Sequence, residues 1–361
     1  MTDAARTDTP APVAGQHMAA EIAEQPAMLQ RLGWEAGAEI AAVGAAIRER
    51  KPRFVLLAAR GTSDHAALYA KYLIEVQLGL PAGLVSPSSM TVYESRPDLR
   101  DVLFLTVSQS GGSPDLIDSL TVARSCGALT VAVTNNPSSA LAEAAEFSVD
   151  VRAGVEKAVA ATKTYTAELL ALYLLLSPAA ADAEATRGRI DALATAAAAT
   201  LDHADAVAAA ATRYRFADRL ITTARGFSYP TAREAALKLM ETCYLGAQAF
   251  SGADLLHGPM AMVDADLPVL AVATPGAGGR AMLAVLDKLE QRRADLLVIG
   301  GIEGAAPAGA QLLPVSTDGL PEELFPVVEI LPLQQLAWQL AILRGGDPDA
   351  PRGLSKVTQT W

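Results

Sequence analysis

The sequence predicts an α/β protein made of two consecutive copies of one unit, each a doubly wound parallel sheet flanked by helices. Three observations carry this. Short apolar runs of strand length alternate with helical patterns along most of the chain, the rhythm of a parallel sheet. Hydrophobic residues make up 51% of the 361 residues and aromatics only 5%. Ala, Leu and Val must therefore fill the cores, which suits buried parallel strands under Ala-rich helices. Finally, the run Leu57–Ser63 (LAARGTS) returns as Thr222–Ser228 (TTARGFS). The interval from Arg60 to the strand end at Ser108 equals that from Arg225 to Ala273. Matching motifs at matching spacing point to duplication.

The elements follow in order. Residues 1–17 are polar and Pro/Ala-rich without the apolar segment of a signal peptide, so a disordered tail is expected. Met18 to Arg50 reads as two helices broken at Glu24-Gln25-Pro26. A buried strand at Phe54–Leu57 leads to a helix over Ala66–Leu78, and a strand at Leu103–Val107 to a helix over Asp115–Cys126. Strands at Leu129–Thr134 and Phe147–Val151 precede a helix over Ala158–Leu176. Ile190 to Tyr214 is nearly pure Ala with a few Asp and Thr, and Ala favours helix, so one helix is expected to join the two units.

Composition excludes several classes of function. The net charge is −11 and the pI about 4.9, against nucleic acid or an anionic membrane as partner. Cys126 and Cys243 have neither metal-ligand nor disulfide spacing and read as core thiols. No apolar run is expected to span a membrane, so the reading is a soluble, cytoplasmic protein.

Chemistry concentrates in three places. Ser108-Gln109-Ser110-Gly111-Gly112-Ser113 joins a buried strand to a helix, where backbone N–H groups ringed by hydroxyls make an anion cradle suited to a phosphate monoester. Thr62 and Ser63 end the neighbouring strand and face the same crevice, because ligands sit at the carboxyl ends of parallel strands. N-capping by serine alone would need fewer hydroxyls. A nucleophile elbow is excluded, since no glycine stands two residues before Ser110. Gly276-Ala277-Gly278-Gly279 lacks the dinucleotide pattern. The second place is Gly154–Thr166, whose small residues would let a ligand approach the backbone. Thr162 and Lys163 could touch it, or Lys163 could be a structural helix charge. The third is Ala235–Pro259. Glu234, Lys238 and Glu241 share one helix face, and His257 follows in a loop ended by Gly258-Pro259. This is either a proton-transfer site or a solvated charged face.

The runs SQSGGSPD, AVAATKTYT, EAALKLMET, LLHGP and PRGLSKVTQT, together with MAAEIAEQPAML near the start, resemble the sugar-isomerase (SIS) family. They are similar to the isomerase half of glutamine–fructose-6-phosphate aminotransferase and to stand-alone glucosamine-6-phosphate deaminases. The resemblance implies two tandem SIS domains, each flavodoxin-like, over residues 18–200 and 201–345, with a C-terminal tail, 346–361, closing over the site. It implies that Thr62, Ser63, Ser108, Gln109, Ser110 and Ser113 hold the phosphate of a 6-phosphosugar, with Val159 and Ala161 adding backbone contacts. Glu241 would be the base between carbons 1 and 2, and Lys238 would contact the sugar or orient Glu241. Lys356 would lie near the carbonyl carbon. His257 would assist ring opening, in the partner's site of a homodimer. No cofactor or metal is implied.

The departures from that family matter as much. A glutaminase domain is not seen before the first helix, which favours the direction that releases ammonia. Arg60 stands where the synthase has cysteine and would pair with a ligand anion, Asp64 or Asp115. Met240 and Leu256 replace lysines, which would make the pocket more apolar and able to admit an N-acetyl group. The expectation is therefore a glucosamine-6-phosphate deaminase/isomerase. The alternatives are a dehydratase or lyase acting on the N-acetyl sugar phosphate, plain aldose–ketose isomerisation, and a non-catalytic sugar-phosphate sensor.

Overall fold

The computed structural model describes residues 13–302, 307 and 309–356. Among these described residues, two five-stranded sheets, all pairs parallel, account for the strands. The first holds β1 (Phe54–Ala58), β2 (Ala82–Leu84), β3 (Val102–Ser108), β4 (Leu129–Thr134) and β5 (Phe147–Asp150) in the order β2-β1-β3-β4-β5. The second holds β6 (Arg219–Ala224), β7 (Gly246–Ser251), β8 (Pro268–Ala273), β9 (Asp295–Gly300) and β10 (Gln311–Pro314) as β7-β6-β8-β9-β10. Both orders are the same doubly wound pattern, so the repeat read from two short motifs extends to the whole topology. In each sheet the winding reverses between the first strand and the third. That reversal opens a crevice at their carboxyl ends.

Two apolar helices lie at the centre. Lys163–Leu176 is buried at every position, and Phe325–Leu343 at most of its own. Residues of both halves belong to one continuous apolar cluster, so the units share a core. Burying each Leu or Ile there contributes roughly 1.5–3 kcal/mol. Gly44 lets the Gln25–Glu49 helix cross Lys163–Leu176 closely: a Cβ at Gly44 would lie 2.2 Å from the Leu175 carbonyl oxygen.

Several sequence-based expectations change. The first helix is Gln16–Ala23, so residues 16 and 17 of the expected tail are helical. Residues 1–12 lie outside the described residues. The helix expected from Ala158 starts at Lys163, because the Glu156 carboxylate accepts the Thr162 and Thr164 N–H groups and ends the preceding loop there. The single joining helix is two, Ala183–Leu201 and Ala204–Tyr214, broken at Asp202-His203 so that the second can pack on Phe325–Leu343. Strand β2 is a three-residue edge too short to leave a pattern. Cys243 is buried as expected, but Cys126 is only half-buried. Contrary to the expectation, Glu322–Leu343 is long and apolar enough to cross a membrane. It is 72% buried inside the protein, as a core helix would be.

The first helix is tied to the segment after the last one. The carboxylate of Asp349 accepts the His17 and Met18 N–H groups at 2.9 and 2.8 Å and so caps the first helix. Asp347 accepts the Gly15 N–H.

Candidate active site

The crevice of the first sheet opens into a cavity of about 320 Å³, at the small end of the roughly 300–1,000 Å³ usual for ligand sites. Two turns build its anion side. After β1, Gly61 takes φ +58°, and Thr62 and Ser63 open the helix Thr62–Leu73. After β3, Ser108–Ser113 turn into the helix Pro114–Ser125. Gly111 is required there: it has φ +62°, and a Cβ would sit 2.1 Å from Ser139 Oγ. The loop is held from within, since Ser108 Oγ accepts the Gly111 N–H and Ser110 Oγ the Gly112 N–H, both at 3.2 Å. Neither helix start is capped by a side chain, and Ser113 makes no cap hydrogen bond, which counts against simple N-capping. The positive dipole ends of both helices therefore remain for an anion, although at the second Pro114 has no N–H and the Leu116 and Ile117 N–H groups already bond Ser113 O.

A charged cluster from the second half forms another wall. Lys238, on the helix Tyr229–Cys243, donates to Thr62 Oγ1 at 3.1 Å, bonds Glu241 and lies 3.5 Å from Glu234 Oε1. Glu234 also accepts from Thr62 at 3.1 Å and lies 2.7 Å from His65 Nδ1. Lys238 and Glu234 are buried, so the solvated-face reading fails; the Glu241 side chain keeps 23% exposure. Burial pulls the Lys238 ammonium down, yet Glu234 and Glu241, with the hydrogen bond to Glu241, hold its pKa above the usual lysine value. Lys238 thus stays cationic. Glu234 is shared among Thr62, His65 and Lys238 in the interior, which leaves Glu241 as the carboxylate of this cluster that reaches the cavity.

The C-terminal segment supplies a further wall. Arg352 stacks 4.1 Å over the Tyr244 ring and its N–H donates to Tyr244 Oη, while Asp349 O accepts the Val159 N–H. Leu354, Ser355 and Lys356 then line the cavity. Lys356 Nζ donates to Glu156 Oε2 at 2.8 Å and to Ala158 O at 2.7 Å. Val357–Thr360 of the resembling run lie outside the described residues.

Arg60, Thr62, Ser63, Ser108, Gln109, Ser110, Ser113, Val159, Ala161, Lys238, Glu241 and Lys356 all line this one cavity. Arg60 pairs with Asp115 through its Nε at 3.0 Å and Nη2 at 2.7 Å, one of the three partners expected. His257 does not join them. It is exposed at the end of the helix Gly252–Leu256, and its backbone N–H bonds Asp254 O. Met240 and Leu256 are exposed and lie outside the cavity, so the apolar pocket expected from them is not formed there. Lys163 is structural, bonded to Glu24 and to Val155 O, and Thr162 does not line the cavity. Sequence reasoning missed Leu116, Thr164, Tyr165 and above all Glu168, which lines the cavity from inside an apolar helix. The only signal was one acidic residue in the run AELLALYLLL.

The second half repeats the crevice but fills it. The Glu322 carboxylate accepts the Ala277 and Gly278 N–H groups, at 2.8 and 2.7 Å, at the start of the helix Ala277–Gln291. Behind it, buried Glu329 accepts from Ser228 at 2.8 Å, from Thr231 at 3.3 Å and from Thr274.

Residues 49–178 and 214–344 each match the SIS domain, one segment per sheet. The chain belongs to the SIS family. Among its relatives, a glutamine–fructose-6-phosphate aminotransferase (isomerizing) from Gloeobacter violaceus is 34% identical over 94% of this chain and 58% of its own length. One from Thermus thermophilus is 33% identical over the same shares. The chain thus spans just over half the length of these curated SIS relatives. A solved structure from Silicibacter pomeroyi described as a phosphosugar isomerase is 35% identical, with a TM-score of 0.83 over 93% of this chain and all of its own. The C-terminal domain of glucosamine-fructose-6-phosphate aminotransferase from Francisella tularensis is 25% identical, with a TM-score of 0.82 over 92% of this chain and 97% of its own. The two sheets are accordingly two tandem SIS domains.

Proposed function

We propose that the protein is a glucosamine-6-phosphate deaminase/isomerase, converting that aminosugar phosphate and water to fructose 6-phosphate and ammonia without a cofactor. The observation that carries the reading is one cavity shared by a hydroxyl-rich anion cradle and the Lys238–Glu241 pair. A phosphate in the cradle would anchor the open-chain sugar, with carbons 1 and 2 toward Glu241. Glu241 would take the proton from carbon 2 and return it to carbon 1, while Lys238 and Lys356 balance the negative charge that builds on the enediol-like intermediate. The carbon-2 imine left behind hydrolyses to the ketone and ammonia. Neither thiol competes for a role: Cys243, bonded to Ala337 O, is pushed up to about 11 by burial, and Cys126 lies outside the cavity. The names of the SIS relatives support a phosphosugar substrate.

The second reading, elimination of water from N-acetylglucosamine 6-phosphate after the same proton abstraction, draws on Leu116 and Leu354, which give the cavity apolar surface for an acetyl group. The deciding experiment supplies both sugars and follows ammonia, fructose 6-phosphate and ultraviolet absorbance. Ammonia and fructose 6-phosphate from the free amine support deamination. An absorbing unsaturated product from the acetylated sugar sinks it. Tight binding without turnover of either would make the protein a sensor.

A homodimer fits the same reading. Leu256 and Met262, on either side of His257, are exposed apolar side chains that a second copy would cover. Co-expressing Glu241→Gln with His257→Ala tests it, since mixed dimers rebuild one intact site. If the mixture is as inactive as the single variants, His257 does not serve the partner's site.

A further inference from the structure

Glu168 has no part in the chemistry above, yet it sits behind the anion cradle. It lies on the fully buried Lys163–Leu176 helix, is 1% exposed, and lines the cavity. Its Oε1 is 2.8 Å from Ser63 Oγ, and its Oε2 has no hydrogen-bond partner among the described residues. An ionised carboxylate here would leave one charged oxygen bare in the protein interior and would face any bound phosphate through a single hydroxyl. It would also draw the Ser63 proton toward itself and turn oxygen lone pairs to the phosphate.

We propose that Glu168 is a positioning residue for the phosphate: as an uncharged acid it donates to Ser63 Oγ and so leaves the Ser63 proton pointing into the cavity. The proposal rests on the cradle being the phosphate site. The surroundings favour the neutral acid. Burial drives its pKa well above the usual carboxylate range; the Ser63 hydrogen bond opposes this, and the nearby charges of Glu156 and Glu234 add to it. Those two acids are themselves paired, Glu156 with Lys356 and Glu234 with Lys238 and His65. Tyr165, on the same helix, is buried and held well above its usual value, so it brings no charge. Phosphate binding and retention of the Glu168 proton are thus coupled.

The test measures binding of sorbitol 6-phosphate, an open-chain sugar phosphate that cannot isomerise, by calorimetry from pH 7.5 to 9.5. Its phosphate, with a second pKa of about 6, is dianionic throughout. Wild-type affinity should fall as pH rises, approaching tenfold per pH unit once Glu168 ionises. Glu168→Gln should hold its Kd within about twofold, because its amide can donate to Ser63 Oγ at every pH. Glu168→Leu should bind about tenfold more weakly at pH 7.5. Identical pH profiles in wild type and Glu168→Gln, or wild-type affinity in Glu168→Leu, overturn the proposal. Absence of binding by wild type overturns the phosphate reading of the cradle itself.

Discussion

The two SIS domains share a strand order, an Arg-Gly turn after the first strand and a buried Ser–Glu pair, but they treat the helix start after the third strand in opposite ways. In the first domain Ser113 makes no side-chain cap at the start of Pro114–Ser125, which opens on a cavity. In the second the start of Ala277–Gln291 holds the Glu322 carboxylate at the distances a ligand anion would take. The buried acids differ in the same sense. Glu168 has one hydroxyl and a bare oxygen, whereas Glu329 is ringed by three hydroxyls. A duplicated fold thus supplies two electropositive crevices. Giving one an internal anion turns it into scaffold, and the scaffold contributes the helix that carries Lys238 and Glu241 to the other.

The comparison breaks most visibly at Glu241, which reaches the first domain's cavity from the second domain's helix. Glu241→Gln should lower kcat by roughly 10²–10⁴-fold with sugar-phosphate binding retained. Steady-state kinetics beside a binding isotherm check this, and surviving turnover would move the base elsewhere.

Next in size is the pH dependence of stability. Burial raises Glu329 to about 7, although hydrogen bonds from Thr274, Ser228 and Thr231 pull it down. A carboxyl raised on folding contributes stability that is fully present below its unfolded value near 4.5 and is lost as pH rises to about 7. Denaturant unfolding should show Glu329→Gln relieved of this decline, a difference on the order of 3 kcal/mol between pH 4.5 and 8. Equal slopes in both proteins would refute an acid held neutral there.

A matched pair of serine deletions then separates ligand from scaffold. Ser63→Ala should raise KM for the 6-phosphate about tenfold with little change in Tm. Ser228→Ala should leave KM unchanged and cost about 1–3 kcal/mol of stability, because it removes a donor from buried Glu329. The reverse pattern would exchange the roles of the two domains.

The smallest effect is at the internal anion. Glu322→Ala should cost about 1 kcal/mol, and added phosphate should raise the variant's melting temperature more than the wild type's as it fills the vacated N–H groups. Equal responses would mean that the second crevice is no anion site.

What the sequence disclosed follows from where its information is local. Turns after strands are written in neighbouring residues, so Thr62, Ser63 and Ser108–Ser113 were legible, and helical spacing placed Lys238 beside Glu241. The duplicated topology was legible from one repeated motif and one repeated interval. Glu168 was not, because a lone acid in an apolar run says nothing about which distant hydroxyl it meets. Glu322 was missed for the same reason, since it closes a turn more than forty residues away in the chain. The helix expected from Ala158 starts later because Glu156 reaches forward six and eight residues to two N–H groups, a side-chain contact that propensity does not register. Met240 and Leu256 were assigned to a pocket by their neighbours in sequence, while the fold turns both outward.

The hydrogen bonds from Asp349 to the first helix have a mechanical consequence. The segment that brings Lys356 to the cavity is anchored seven residues earlier on the start of the helix Gln16–Ala23, so helix start and cavity wall share one carboxylate. Loss of the Asp349 carboxylate would therefore loosen a helix start and the anchor of the Lys356 segment together.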